Sequence, residues 1–195
     1  MQLFAIFAGA FAFLFPRQAQ GLMTVATNAI KQTSTQIKNT GGEVFGPFLP
    51  ANVWTATKVK QVAAKYVFEY GLNCNPVMIA AMVKIESRYN PKAYRFEKHL
   101  NDASYGLMQT MTKTAQWLYD DMKYRAFPRP TGSDLYDGYV SLYFGMAYVD
   151  YLSKYGKKQR DERWIVESYN GGPGNSNPGT QNHLRKYYEA KTEVA

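Results

Sequence analysis

Cysteine is nearly absent from these 195 residues: Cys74 is the only one. An intramolecular disulfide is therefore excluded, and the fold must stand on packing rather than on covalent staples. Such poverty in cysteine fits a bacterial envelope or phage protein better than a small disulfide-bonded scaffold. Histidine is scarce too. His99 and His183 are the only two, and neither lies near Cys74 in sequence. That leaves no zinc-ligand spacing, so neither a metal nor a cofactor is expected. No run of five or six basic residues occurs, and no segment repeats. No stretch alternates polar and apolar residues well enough to demand a sheet. Nor is any apolar run as long as the roughly 20 residues of a membrane-spanning helix.

Basic residues and aromatics are plentiful. The chain carries 23 Lys and Arg against 15 Asp and Glu, a net charge of +8. The pI near 9.4 suits an anionic partner, whether nucleic acid, acidic membrane or acidic wall polymer. A plainly soluble basic protein would read the same way, so charge alone decides nothing. Aromatic residues make up 15% of the chain, with 16 Tyr and 11 Phe. Most are expected in the core, and some suit a groove that needs apolar faces with polar tips.

The chain opens with an apolar segment, Leu3 to Phe15, of the length of a secretory h-region, followed by small residues at Ala19-Gln20-Gly21. Met1-Gln2 lacks a positive charge, and Arg17 follows the apolar run. Residues 1–21 are thus expected to be a signal peptide or an uncleaved membrane anchor, with residues 3–15 the membrane-contacting part. Residues 22–54 read as a linker or arm, rich in Thr, Asn, Gln and Gly and ending in Gly46-Pro47-Phe48-Leu49-Pro50, with one short helix near Thr24 to Ile37.

From Thr55 the pattern turns helical. Val59, Val62, Ala63, Tyr66, Val67 and Tyr70 recur at three-and-four spacing, and Gly71 supplies the stop. Asn75-Pro76 is a strong start signal, an N-cap followed by proline in the first turn. That second helix ends near Ser87. Further helices are expected from Thr112 to Met122, Asp137 to Tyr155, Asp161 to Tyr169 and Gln181 to Thr192. The class is mainly α, with residues 55–192 as one folded domain.

Glu86 stands out among the acids. It closes an apolar helix, after Ile79, Met82, Val83 and Ile85. Desolvation and the negative end of the helix dipole both favour its protonated form there. A carboxyl kept neutral near neutral pH can protonate a glycosidic oxygen. An ordinary helix-end glutamate paired with Arg88 would have the same local sequence.

The company of Glu86 is more telling. Glu86-Ser87 is followed by Ser104-Tyr105-Gly106-Leu107-Met108-Gln109 and then by Glu167-Ser168-Tyr169-Asn170-Gly171-Gly172-Pro173-Gly174. In order and spacing these resemble the three motifs of the lytic transglycosylase catalytic domain, ES, GLMQ and AYNxG. That domain is similar to goose-type lysozyme and has a lysozyme-like α fold. The resemblance runs from about Thr55 to Glu189. It implies cleavage of peptidoglycan glycan strands with Glu86 as general acid and then general base. The muramic acid's own 6-hydroxyl would close onto C1 to leave a 1,6-anhydro end. It further implies substrate contacts from Ser87, Ser104, Gly106, Met108, Gln109, Tyr148, Tyr169 and Asn170. The Gly106 turn would wall the site, Met108 pack on sugar, and the Gln109 amide bond polar substituents.

Two departures from the pattern matter. Ser168 stands where the family has alanine, a small-for-small change. The interval from Glu86 to Gly106 is long and carries Glu97 and Asp102, candidate second carboxylates in the region where goose-type enzymes recruit an aspartate to activate water. Glu97 ranks ahead of Asp102, and local pairing of Arg95 with Glu97 is the alternative. Hydrolysis therefore stays open beside anhydro-ring formation, as does a non-catalytic wall-binding module. Chitin shares the N-acetyl groups that a Tyr-Asn pair would read. No specific nucleic acid is expected, since only charge points to one. Location is expected to be extracytoplasmic, whether periplasmic, secreted or envelope-associated, or else in a phage virion.

Overall fold

The structure, a computed structural model, describes residues 53–195. The expected signal or anchor at 1–21, the short helix near Thr24 to Ile37 and nearly all of the 22–54 arm lie outside the described residues.

Local chemistry sets the helix boundaries. Helix α1 (Ala56–Tyr70) begins where the Thr55 hydroxyl accepts from the Lys58 amide at 3.2 Å, and ends at Gly71. Helix α2 (Pro76–Ser87) starts under the Asn75 carboxamide, whose Oδ1 accepts from the amides of Val77 and Met78. Every residue from Met78 to Val83 is buried. Helix α3 (Thr112–Asp120) stops two residues short of the expected Met122, because Lys123 takes a left-handed φ of 65° and turns the chain away. Helix α4 (Gly138–Ser153) is capped by the Asp137 carboxylate, which accepts from the amides of Tyr139 and Val140. Twelve of its 16 residues are buried, as befits a helix apolar on nearly all sides. It closes before the expected Tyr155, which begins a short 3-10 turn.

Helix α5 (Glu162–Gly171) is capped by Asp161. Helix α6 (Pro178–Val194) starts three residues earlier than the sequence reading placed it. Asn177-Pro178 repeats the cap-and-proline signal of α2, and Thr180 completes a capping box.

The core forms where α1, α2, α4 and α6 meet, with Ile79, Met82, Leu142, Phe144, Met146, Leu152 and Tyr187 fully enclosed. Burying each such side chain stabilises the fold by roughly 1.5 to 3 kcal/mol. Trp54, which the sequence reading left in the arm, is 7% exposed; it sits on α4 against Gly138 and edge-on to Tyr139. Cys74 is half-buried, and its thiol donates to the Met146 carbonyl. Burial pushes that thiol well above its ordinary range, in keeping with a structural role. Among the described residues no helix is long and apolar enough to cross a membrane.

The mainly α expectation holds, and a small antiparallel sheet, which no alternating stretch in the sequence announces, is added to it. Strands β1 (Tyr94–Glu97), β2 (Asp102–Tyr105) and β3 (Thr110–Met111) pair in the order β1-β2-β3, with Tyr94 opposite Tyr105 and Ser104 opposite Met111. The strands are two to four residues long. β1 is exposed at three of its four positions and β2 buried at three, so neither strand alternates. The pairing is held from outside the strands: the Ala93 carbonyl accepts from the Gly106 amide at 2.9 Å and from Gln109 Nε2 at 3.2 Å.

Candidate active site

Glu86 lies in the last turn of α2, at the bottom of a cleft of about 740 Å³. That is the size of a small-ligand or oligosaccharide site. The hairpin side contributes Arg95, Glu97, Leu100, Ser104, Gln109 and Thr110. Tyr148 comes from α4, Tyr169 and Asn170 from the end of α5, and Asn182, His183 and Lys186 from α6.

The Glu86 side chain is only 15% exposed. Loss of water raises its pKa to about 8, against the weaker pull of the Arg95 guanidinium in the opposite direction. His183 approaches it from α6, with Nε2 3.4 Å from Glu86 Oε1. Burial, and then the charge of Lys186, lower the imidazole's pKa to about 4, so the pair is neutral near neutral pH. Arg88 takes no part in this pairing. It is exposed, sits in a left-handed conformation and closes α2 by donating its amide to the Lys84 carbonyl.

Tyr169 is fixed from behind. Its hydroxyl donates to the Met108 carbonyl at 2.8 Å and lies 3.4 Å from Thr110 Oγ1. Burial and the neighbouring Glu86 drive its pKa far upward, so the ring stays neutral. Tyr148 packs 5.3 Å from that ring, and burial raises its pKa to about 12. Asn170 is exposed at the rim.

Ser168, the departure from alanine, is buried, and its Oγ accepts from the Gly174 amide at 3.1 Å. The hydroxyl thus pins the Gly-Gly-Pro-Gly turn that follows Asn170.

Several expected contacts face elsewhere. Met108 is fully buried beneath the cleft, not on its wall, and fills the space opposite Gly145, where an added Cβ would lie 2.4 Å from the Met108 Cβ. Gly106 has φ 73°, and a Cβ there would come within 2.0 Å of the Leu135 carbonyl. Its role is the turn and the close approach rather than sugar contact. The Ser87 hydroxyl is buried and donates to the Val83 carbonyl within α2. The Gln109 amide lines the cleft but spends its nitrogen on the Ala93 and Gly106 carbonyls.

The two candidate second carboxylates are both engaged. Asp102 Oδ1 accepts from the Ala103 amide at 2.8 Å and Oδ2 from the Lys113 amide at 3.0 Å, tying the sheet to the first turn of α3. Glu97 lines the cleft, but its Oε1 is 2.6 Å from Arg95 Nε, the local pairing weighed as the alternative. The sequence reading missed His183, Arg95, Lys186 and Thr110 as cleft residues. His183 is 97 positions from Glu86 and has no local motif to mark it.

The profile of the transglycosylase SLT domain matches residues 67–192. Among solved structures the chain is similar to the 70 kDa soluble lytic transglycosylase SLT70 of Escherichia coli, with 21% identity and a TM-score of 0.48. The match covers 69% of this chain but 20% of that one, so the chain spans about a fifth of that protein's length. No curated protein sequence matches the chain.

Proposed function

Starting from the family to which this chain belongs, that of the transglycosylase SLT domain, we propose that it cleaves the β-1,4 bond between N-acetylmuramic acid and N-acetylglucosamine in peptidoglycan and leaves a 1,6-anhydromuramic end. The observation that carries the reading is the setting of Glu86: a carboxyl nearly withdrawn from water, held protonated up to about pH 8, at the bottom of a cleft with room for sugar rings.

In this mechanism Glu86 gives its proton to the glycosidic oxygen as the bond to C1 lengthens. The resulting carboxylate takes the proton of the muramic 6-hydroxyl as that oxygen closes onto C1. An intramolecular nucleophile is present at high effective concentration, so no second carboxylate is needed. Two arrangements support this route over hydrolysis. Both oxygens of Asp102 are taken by backbone amides, and Glu97 is paired with Arg95.

Arg95 and Lys186 on the cleft walls favour peptidoglycan over chitin. Muramic acid carries an anionic lactyl-peptide arm, whereas chitin is uncharged. Tyr148, Tyr169 and Asn170 are assigned to the sugar rings and N-acetyl groups, and Ser104 and Gln109 to the hairpin wall. The site is then extracytoplasmic, reached by export through residues 1–21 or by delivery in a phage virion. The residues from 22 up to the core residue Trp54 act as the arm before the catalytic unit.

Mass spectrometry of muropeptides released from purified sacculi tests the reading. Anhydro-muramic ends are expected, one water lighter than reducing ends. Reducing ends would assign hydrolysis, with Glu97 as the base that activates water. Binding to sacculi with no soluble release would reduce the chain to a wall-binding module.

A further inference from the structure

The catalytic reading leaves one buried group in the cleft without a task. His183 projects from α6 into the cleft, with 12% of its side chain exposed. Its Nε2 is shut off from solvent and has no hydrogen-bond partner in the resting geometry, with Glu86 Oε1 3.4 Å away. An unsatisfied buried ring nitrogen is costly. Its approach to Glu86 is therefore a specific arrangement rather than filler.

The geometry points to His183 as the positioning residue of Glu86: a neutral imidazole whose Nε2–H holds Oε1, leaving Oε2 to carry the proton into the cleft. This rests on the glycan-cleaving reading of Glu86. Before the reaction the imidazole flanks the carboxyl at 3.4 Å, short of a formed hydrogen bond. Once the proton has gone to the leaving oxygen, the same N–H faces a carboxylate, and a hydrogen bond to a charged acceptor is stronger than one to a neutral one. His183 gains and loses no proton through the cycle. Its own burial keeps it neutral, and the charges around the pair act as a fixed frame. Arg95 on β1, itself paired with Glu97, lowers the Glu86 pKa; Lys186 on α6 discourages a charge on His183; the Tyr169 hydroxyl on α5 is held neutral. A bare Nε2 would instead accept a hydrogen bond from the Glu86 O–H and turn that proton away from the sugar, so the tautomer is the decisive feature.

Two measurements on the full chain test this. Long-range nitrogen–proton NMR of the wild-type imidazoles, with His183→Phe identifying the signal, is expected to show His183 protonated on Nε2 alone at pH 6 and not titrating between pH 5 and pH 8. An Nδ1–H tautomer, or an imidazolium at pH 6, overturns the proposal. In kinetics on soluble glycan strands, His183→Phe is expected to lower kcat about 10- to 100-fold, the worth of one hydrogen bond to a charged group, with KM little changed. Its alkaline limb should move to higher pH, because a carboxylate stripped of a donor holds its proton more tightly. His183→Gln, which keeps an N–H at similar reach, should recover part of the rate and return the limb. A folded His183→Phe with wild-type kcat and an unmoved limb also overturns the proposal. If that variant does not fold, the tautomer and the glutamine variant still decide. Full activity in Glu86→Gln would instead sink the glycan-cleaving reading, while the NMR result on the wild type stands apart from activity.

Discussion

Glu86 at the end of α2 and Asp102 at the start of β2 are both carboxyl groups with little access to water, yet their surroundings are opposite. Around Asp102 the chain has aimed two backbone amides, one from Ala103 and one from Lys113, and the carboxylate is spent on joining the sheet to α3. Around Glu86 it has placed apolar helix and a neutral imidazole, with the Arg95 guanidinium engaged by Glu97. A satisfied acid is an architectural part. An acid deprived of partners keeps its proton and has something to give.

The sharpest way to break that contrast is Glu86→Gln, which keeps size and removes the proton. Clearing of sacculi should fall on the order of 10² to 10⁴-fold, the usual worth of a general acid. Unchanged clearing would end the assignment. The same substitution reads out the acid's thermodynamic cost. The folded pKa of Glu86 lies above its unfolded value of about 4.5, so its share of stability is full below that pH and lost as pH rises through about 8. That loss is on the order of 4 kcal/mol. Thermal melts of the wild type should therefore fall between pH 5 and pH 8 by a component that Glu86→Gln lacks. His183 has the opposite sign: its folded pKa of about 4 lies below 6.5, so its share is present above pH 6.5 and lost as pH falls toward 4.

Next in size is Gly106→Ala. Left-handed backbone and overlap with the Leu135 carbonyl together should cost about 3 to 5 kcal/mol, read as a lower midpoint in urea, with activity lost through the fold. Asp102→Asn should cost about 1 to 3 kcal/mol by leaving one backbone amide poorly satisfied. Its anhydro product should be unchanged, and a shift to reducing ends would move Asp102 from architecture to chemistry. Smallest is Glu97→Gln, expected to change the rate by less than about tenfold, since a partly exposed ion pair contributes little. A loss as large as that of Glu86→Gln would make Glu97 a second catalytic carboxylate.

The helices were legible because their ends are written locally. Thr55, Asn75-Pro76, Asp137 and Asp161 all cap where their residue types say they should. Asn177-Pro178 carried the same message and was overlooked. The sheet was not legible, because its strands are too short for periodicity and hang on contacts with groups outside them, the Ala93 carbonyl and the Lys113 amide. Glu86 was visible through its apolar helix and its companions in sequence. Met108 misled, since a methionine in a glycine turn reads as exposed; the hint to the contrary was Gly145, a gap between Phe144 and Met146 in a buried helix. His183 could not be found at all, for only the docking of α6 on α2 brings it to Glu86.

The clasp at Ala93 has a consequence for how such a chain can change over generations. One carbonyl gathers both Gly106 and Gln109, so the hairpin of residues 94–105 is closed at its root, and Arg95, Glu97, Leu100 and Ser104 from it line the cleft. Lengthening a closed loop is cheap, about 0.6 kcal/mol for each doubling. The hairpin tip at residues 98–101 can therefore drift in length and character, altering what the cleft admits, while the clasp and the Asp102 contacts hold and the acid at the end of α2 keeps its place. The mouth of the cleft is free to evolve at a pace that its floor is not.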